Sequence, residues 1–412
     1  MAARWTFMVY MAGFNNLTDF ATADLEEMRS VGSTDDVKIA VFIKRLGKTA
    51  ATRLIVGRGG AGEQPEDIEE ADSGTPQTLL DFVRWAAQTA PAERYALVVW
   101  NHGSGWDVLD LDEVYAEVRS RGGAAAEGMT SREIGMRATQ RIGRALFKPT
   151  LETVFELPTQ GERAIASDDG TGHSLDTIEL KNVLEKAQAE LGTLELLGMD
   201  ACLMSTLEVA YEAQQYTRVV VGSEELEPGD GWPYQRIVGD LVAEPDMDGK
   251  ELGRRIVRHY VDSYADQQSQ WPVTQCAIAA EGIGGFAEQL DALATALQSE
   301  LATPAGLAYV VRAHRRAPRF TGDLVDLRVF AETLAGSDVG DETKTAAQAV
   351  VEALTPDGYV LAEGHHGPEV DGVGGVTAYL PDPTTKVSQF YADLRFANER
   401  QWDEFIAEYQ SA

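Results

Sequence analysis

The sequence predicts an α/β fold: a mainly parallel sheet flanked by helices on both faces. Three observations carry this. Residues 6–12 (TFMVYMA), 37–43 (VKIAVFI) and 96–100 (ALVVW) are short, mostly apolar runs, as expected of strands covered on both sides. Between them, apolar residues recur at helical spacing, as in Leu17, Ala21, Leu25 and Met28, or Leu79, Phe82, Val83 and Ala86. Finally, 44% hydrophobic residues in 412 supply an ample core.

Each element follows in turn. Residues 53–56 read as a further strand and 57–62 as a turn region, from its glycines. Residues 107–163 break the strand–helix rhythm. They are charged and helical in pattern, with Gly122-Gly123-Ala124-Ala125-Ala126 and eight basic residues from Arg119 to Arg163, and they read as an insertion. The core resumes with a helix over 175–191, capped by Ser174 or Asp176, then a strand over 194–198 and a helix over 203–213. Residues 218–222 (RVVVG) read as a strand, 229–233 as a loop, and the stretch to about 268 as helical. A strand over 274–280 and a helix over 285–301 follow. Residues 307–334 read as helical except for an irregular piece at 319–323. Then come a helix over 343–354, a strand over 376–380 and a closing helix over 402–409.

Bulk chemistry narrows the function. The formal charge is −31, which repels phosphate and argues against nucleic acid as a partner. It fits a protein that acts on basic substrates. Two cysteines, Cys202 and Cys276, make no disulfide framework. Met1-Ala2-Ala3-Arg4-Trp5 lacks the pattern of a signal peptide, and no apolar stretch reaches membrane-spanning length. These features predict a chain without membrane contacts, working in the cytoplasm.

Two short motifs carry the chemistry. Asn101-His102-Gly103-Ser104-Gly105-Trp106 follows the strand at 96–100, and Met199-Asp200-Ala201-Cys202 follows the strand at 194–198. Strand ends are where an α/β sheet presents its reactive groups. A thiol attacks a carbonyl as thiolate, and an imidazole or a helix N-terminus lowers its pKa. Cys202 stands before a predicted helix starting near Leu203, where the helix dipole would favour the thiolate. Cys276 lies mid-strand and reads as a packing residue. His365 and His366 lie in a Gly-rich loop and His173 beside Asp168-Asp169, at spacings that match no strong metal pattern.

At these residues the chain resembles the clostripain family of cysteine peptidases, within the caspase-like clan. Residues 5–16, 100–106 (WNHGSGW), 197–205 (LGMDACLMS), 221–234 (VGSEELEPGDGWPY), 321–327 and 375–381 resemble the family's motifs in order. The resemblance implies a caspase-like α/β/α sandwich with a His102–Cys202 dyad and a thioester intermediate. It further implies an oxyanion hole from the backbone N–H groups of Gly103 and Cys202. It implies cleavage after basic residues, Arg above Lys, with Asp200 and Asp230 facing the cation and Ser223, Glu224 and Trp232 in the pocket segment.

The chemistry needs no cofactor. Calcium is a structural or activating candidate, since the family's founding member depends on it and Asp168-Asp169 and Glu224-Glu225 are acidic pairs. No residues are assigned as metal ligands. The chain divides into a first part of the catalytic core (1–106), the insertion (107–163), a second core part (164–280) and an α-rich C-terminal part (281–412). Because the insertion is Arg-rich and joins the two dyad residues, it is a candidate for self-cleavage. A glutamine amidotransferase is disfavoured, because it needs its Cys before its His and in a Gly-flanked elbow. A catalytically silent relative used as a binding or scaffold protein is the alternative.

Overall fold

The computed structural model describes residues 2–14, 17–101, 175–267, 269, 271–320, 323–356, 358–388 and 390–412. The predicted insertion at 107–163 lies outside them. The strands are β1 (Ala3–Gly13), β2 (Val37–Arg45), β3 (Ala51–Ile55), β4 (Glu66–Ile68), β5 (Ala92–Trp100), β6 (Leu196–Asp200), β7 (Val219–Gly222), β8 (Val273–Ala279), β9 (Arg319–Phe320), β10 (Leu324–Asp326), β11 (Val360–His366) and β12 (Thr377–Tyr379). The helices are α1 (Thr18–Val31), α2 (Pro76–Thr89), α3 (Thr177–Leu191), α4 (Leu207–Ala213), α5 (Tyr234–Ala243), α6 (Gly249–Asp266), α7 (Ala280–Leu301), α8 (Pro304–Arg316), α9 (Leu327–Ala335), α10 (Asp341–Ala353), α11 (Arg395–Glu399) and α12 (Trp402–Ser411).

Nine strands form one sheet in the order β11-β8-β7-β6-β5-β1-β2-β3-β4. The central β2, β1, β5, β6 and β7 are parallel, and antiparallel strands close both edges. The mostly apolar runs have the expected cause. Trp5, Phe7, Val9 and Met11 of β1 face a core shared with α1, α5 and α6, while Met8, Tyr10 and Ala12 face the opposite core, which includes α2, α3 and α7. Each face buries its own set, and the buried polar residue Thr6 is satisfied by donating its hydroxyl to Ala90 O at 2.5 Å. A smaller antiparallel sheet, β12-β10-β9, stands beside α4 and α9.

Helix starts follow their local chemistry. Asp176 caps α3 in a capping box with Glu179, Thr75 caps α2 ahead of Pro76, and Thr303 caps α8 ahead of Pro304. Several elements differ from the sequence expectation, among them β10 (Leu324–Asp326), which stands where a helix was expected. His365 and His366 end strand β11, paired with Thr274 and Val273, and are not in a loop. An edge strand leaves one side half exposed, so its polar residues hide the period. The helix expected from Leu203 begins only at Leu207, where the Thr206 hydroxyl accepts the Val209 N–H at 3.1 Å.

Glu208 in the first turn of α4 is fully buried. It accepts the Tyr379 N–H at 2.8 Å and the Tyr391 hydroxyl at 3.2 Å, fastening α4 to β12 and the C-terminal region. Burial pushes its carboxyl up to about 7. The folded state therefore favours the protonated form. The stability it contributes is full below the ordinary carboxyl range and lost as pH rises through about 7. Glu208→Gln keeps the accepting oxygen and removes the charge. We expect urea unfolding of this variant to match the wild type near pH 4. At pH 9 it should exceed the wild type by on the order of 3 kcal/mol. Equal stability at pH 9 would show that ionised Glu208 carries no burial penalty.

Candidate active site

The site is built where β5 and β6 end. Their parallel register pairs Val99 with Met199 and Trp100 with Asp200, so both chains leave the sheet at one level. The Trp100 indole N–H donates to Asp24 Oδ2 of α1 at 2.7 Å, which pins the end of β5. Asn101, the next residue, is buried. His102 and Gly103 follow it in sequence and lie outside the described residues. Asp200 is fully buried, and its Oδ2 accepts the hydroxyl of Tyr234, the first residue of α5, at 2.7 Å.

Cys202 follows in a turn rather than at a helix N-terminus. Leu203 takes a positive φ of 62°, a conformation that costs a non-glycine residue on the order of 1 kcal/mol. The surroundings hold it there. The Leu203 N–H donates to Glu225 O at 3.3 Å, the Ser205 N–H to Ser223 O at 2.8 Å, and the Thr377 N–H to Ser205 O at 3.0 Å. The Ser205 hydroxyl donates to Gly375 O. The thiol-bearing turn is thus woven between the segment after β7 and the strand β12. With α4 starting at Leu207, the expected dipole assistance to the Cys202 thiolate is absent.

The Cys202 thiol is fully buried, and its Sγ accepts the Glu227 backbone N–H at 3.0 Å. Burial pushes its pKa well above the ordinary thiol value, and the nearby Glu227 and Glu225 carboxylates push it further. In this arrangement the thiol is protonated at neutral pH. Cys276 is also buried, in mid-β8. A Cβ at Gly375 would lie 2.9 Å from its Sγ, which marks it as a packing residue.

The remaining expected pocket residues are placed differently from one another. The Ser223 hydroxyl bonds Glu225 O at 2.9 Å and Thr274 Oγ1 at 3.0 Å. Glu224 accepts the Gly375 N–H at 3.0 Å, and its burial, with the neighbouring Asp326 adding to it, pushes its carboxyl well above the carboxylate range. Trp232 is fully buried against β6, where a Cβ on Gly198 would come within 2.8 Å of its ring. These three side chains face the interior, and Asp230 alone of the 223–232 set is exposed. Sequence reasoning missed Glu227, Gln275 and Tyr260. Glu227 is fully buried, and its Oε1 accepts Gln275 Nε2 at 3.1 Å. It stands in the run Glu224-Glu225-Leu226-Glu227, whose pattern does not tell which carboxylate turns inward.

Among the described residues no cluster of His, Cys, Asp and Glu is arranged to hold a metal. Glu224 is engaged by Gly375 and Asp326, and Glu225 Oε1 accepts the Leu226 N–H at 2.8 Å. Asp168 and Asp169 lie outside the described residues.

Comparisons with known proteins agree with this architecture. The model of the clostripain family matches residues 9–117 and 156–409. Clostripain of Hathewaya histolytica is 22% identical over 266 residues, covering 58% of this chain and 42% of that relative, so the match spans less than half of its length. A secreted C11 cysteine protease of Bacteroides thetaiotaomicron, solved with an irreversible peptide inhibitor, superposes with a TM-score of 0.64 at 18% identity, covering 98% of this chain and 100% of that one. An inactive zymogen C11 protease of Parabacteroides distasonis superposes with a TM-score of 0.63 at 16% identity, covering 97% and 99%. The shared fold is the caspase-like α/β/α sandwich. One expectation is corrected. The sequence predicts a cytoplasmic chain, whereas the Bacteroides neighbour is a secreted protease, and this overturns the cytoplasmic expectation. A leader is removed from a mature secreted chain, so its absence from these residues decides nothing. Among the described residues no helix is long and apolar enough to cross a membrane.

The raised thiol pKa generates a prediction. Iodoacetamide should alkylate Cys202 more slowly at pH 7 than an unstructured cysteine peptide, with the rate climbing at alkaline pH. Glu227→Gln removes a neighbouring negative charge and should speed the reaction at pH 7 several-fold. Peptide mapping after timed quenching gives the rates. Alkylation of wild type at the rate of the free peptide would contradict the assignment.

Proposed function

The chain belongs to the clostripain family and is a cysteine peptidase, and from that premise we propose that it cleaves peptides after basic residues, Arg above Lys, through a His102–Cys202 dyad. The observation that carries this is the β5–β6 register. Cys202 lies two residues beyond Asp200, and His102 two residues beyond its partner Trp100. Two adjacent parallel strands in register thus precede the two reactive residues at the same sequence distance, and strand ends are where α/β enzymes bind substrate.

The steps follow from these groups. The Cys202 sulfur attacks the scissile carbonyl carbon, and its proton passes to His102. The oxyanion takes the backbone N–H groups of Gly103 and Cys202, each donor being worth about 3 kcal/mol. The C–N bond breaks as His102 returns the proton to the leaving amine. Water then attacks the thioester, giving the carboxylic acid and the free thiol. Asp200 supplies a buried carboxylate two residues from the nucleophile, and Asp230 an exposed one, for the substrate's cation.

We also propose that the enzyme cuts itself within 107–163. The family model leaves 118–155 unmatched, and this gap holds Arg119, Arg121, Arg132, Arg137, Arg141 and Arg144. The Parabacteroides neighbour is described as a zymogen. The inward-facing, protonated thiol favours one other reading, a silent scaffold protein.

Two measurements decide. Fluorogenic peptides with Arg, Lys or Ala before the reporter should be turned over in the order Arg, Lys, Ala. Cys202→Ala and His102→Ala should each lower kcat/KM by on the order of 10⁴-fold. No turnover by wild type across salt and calcium conditions would support the scaffold. Intact mass spectrometry should show wild type, and not Cys202→Ala, converting to two chains with a cut after an Arg of the insertion. Identical masses after incubation would rule out self-cleavage.

A further inference from the structure

The Cys202 turn is held from two sides, and the two sides meet in a closed ring of hydrogen bonds around Ser205. The Ser205 N–H donates to Ser223 O at 2.8 Å, and its hydroxyl donates to Gly375 O at 2.5 Å. The Gly375 N–H donates in turn to Glu224 Oε2 at 3.0 Å, and Glu224 is covalently joined to Ser223. The ring therefore runs through Ser223, Ser205, Gly375 and Glu224 and back. Its members have little room to shift. A Cβ on Gly375 would lie 2.9 Å from Cys276 Sγ and 3.0 Å from Glu363 Cβ. The Glu224 backbone N–H is fixed by Thr274 Oγ1 at 2.9 Å. The Glu224 side chain is thus the link that closes the ring.

That link is a carboxyl set against a second carboxyl. Asp326 is fully buried, and both its oxygens receive N–H donors at 2.6 Å, Val329 on Oδ1 and Gly374 on Oδ2. Glu224, also fully buried, receives the Gly375 N–H on Oε2, while its Oε1 meets no donor among the described residues. Two donors favour the charge on Asp326, so the proton of the pair sits on Glu224 and is given to Asp326 in a hydrogen bond. Burial first, then the Asp326 charge, pushes the Glu224 carboxyl well above the carboxylate range. Other groups face the pair from the neighbouring elements. Cys276 of β8 and Tyr359, just before β11, are buried and held in their neutral forms. Glu363 of β11 adds a negative charge, met by Arg328 of α9 at 3.9 Å.

We propose that Glu224 is a positioning residue: the proton it shares with Asp326 keeps the ring closed and so holds the Cys202 turn in place for attack. This rests on the peptidase reading above. With the proton present, Glu224 reaches Gly375 and Asp326 together. Once it is lost, two buried carboxylates stand side by side and repel. Asp326 keeps its two N–H donors, so the bond from Gly375 to Glu224 is the one that gives way. The ring is therefore fully closed at neutral pH and opens as pH rises through the raised Glu224 value. Cys202 and His102 also titrate, but substitution at 224 leaves both in place, so a comparison of variants isolates the ring.

The test measures kcat and KM for a fluorogenic arginine peptide from pH 6 to pH 10. It uses the full chain and its Glu224→Gln, Asp326→Asn and Cys276→Ala variants, each below its thermal midpoint at every pH. Glu224→Gln keeps an oxygen for Gly375 and an N–H for Asp326 and has no acidic proton. The ratio of its kcat to that of wild type should climb roughly tenfold between pH 6 and pH 10, with KM moving less, because only wild type loosens its turn. Asp326→Asn leaves a single carboxyl in the pair, and its ratio should climb in the same way. Cys276→Ala removes a neighbouring titratable thiol and should keep the shape of the wild-type profile. A poorly folded Glu224→Gln leaves Asp326→Asn to carry the comparison. A ratio that stays constant with pH in either folded variant would overturn the role, as would a Cys276→Ala profile that matches theirs. Wild type that turns over no peptide at any pH would overturn the peptidase reading itself, and this inference with it.

Discussion

The in-register parallel pairing of β5 with β6 is the constraint on which the rest of the structure depends. A strand's side chains alternate, so slipping β6 by one residue would turn Asp200 away from α5 and α6 and into the opposite core. Gly198 guards against the slip. It leaves room for the Trp232 ring to lie on β6, and any larger residue brought there would meet that ring below van der Waals distance. Trp232 thus serves the site from underneath, by fixing which face of β6 looks toward α6. The burial of Asp200, its bond to Tyr234 and the exit of the Cys202 turn all follow from that one choice.

The second dependence runs through buried carboxyls. In a chain of net charge −31, carboxyls are plentiful, and several are used as acceptors inside the core. Asp326 accepts the Gly374 N–H and the Val329 N–H, both at 2.6 Å, so it caps α9 and grips a glycine turn together. Glu224 accepts the next N–H, that of Gly375, and keeps a proton for Asp326. Two carboxylates side by side would repel, while one proton between them makes the pair a hydrogen bond. Gly375 itself has φ of 85°, which other residues rarely adopt. This clamp sets β12 beside Ser205, and through it the turn that carries Cys202. Residues 323–327 and 375–381, which carry two of the motifs, are therefore the underside of the Cys202 turn, far away in sequence and adjacent in space.

What was legible in the sequence was what depends on near neighbours or on burial of whole faces. The runs at 6–12, 37–43 and 96–100 became central strands because both their faces are covered, and Asp176, one of the two cap candidates, does cap α3. The nucleophile turn was not legible. Leucine at position 203 gives no sign of a positive φ, since that conformation is imposed by hydrogen bonds from residues 223, 225 and 377. The helix start misplaced at Leu203 has the same origin, because Thr206 was available as a cap and the long-range weave selected it. Strand β11 was hidden by its edge position, and Glu227 by standing in a run of three glutamates that are all buried, of which it is the one that Gln275 of β8 holds.

The position of the turn also decides how the thiol must be activated. Many reactive cysteines stand at a helix N-terminus and owe part of their acidity to it. Cys202 has no such help, since α4 begins five residues later. Its surroundings act in the opposite sense: desolvation and the Glu227 and Glu225 carboxylates all favour the protonated sulfur. A positive charge would reverse this balance, and the proposed mechanism offers one in the imidazolium formed when His102 takes the thiol proton.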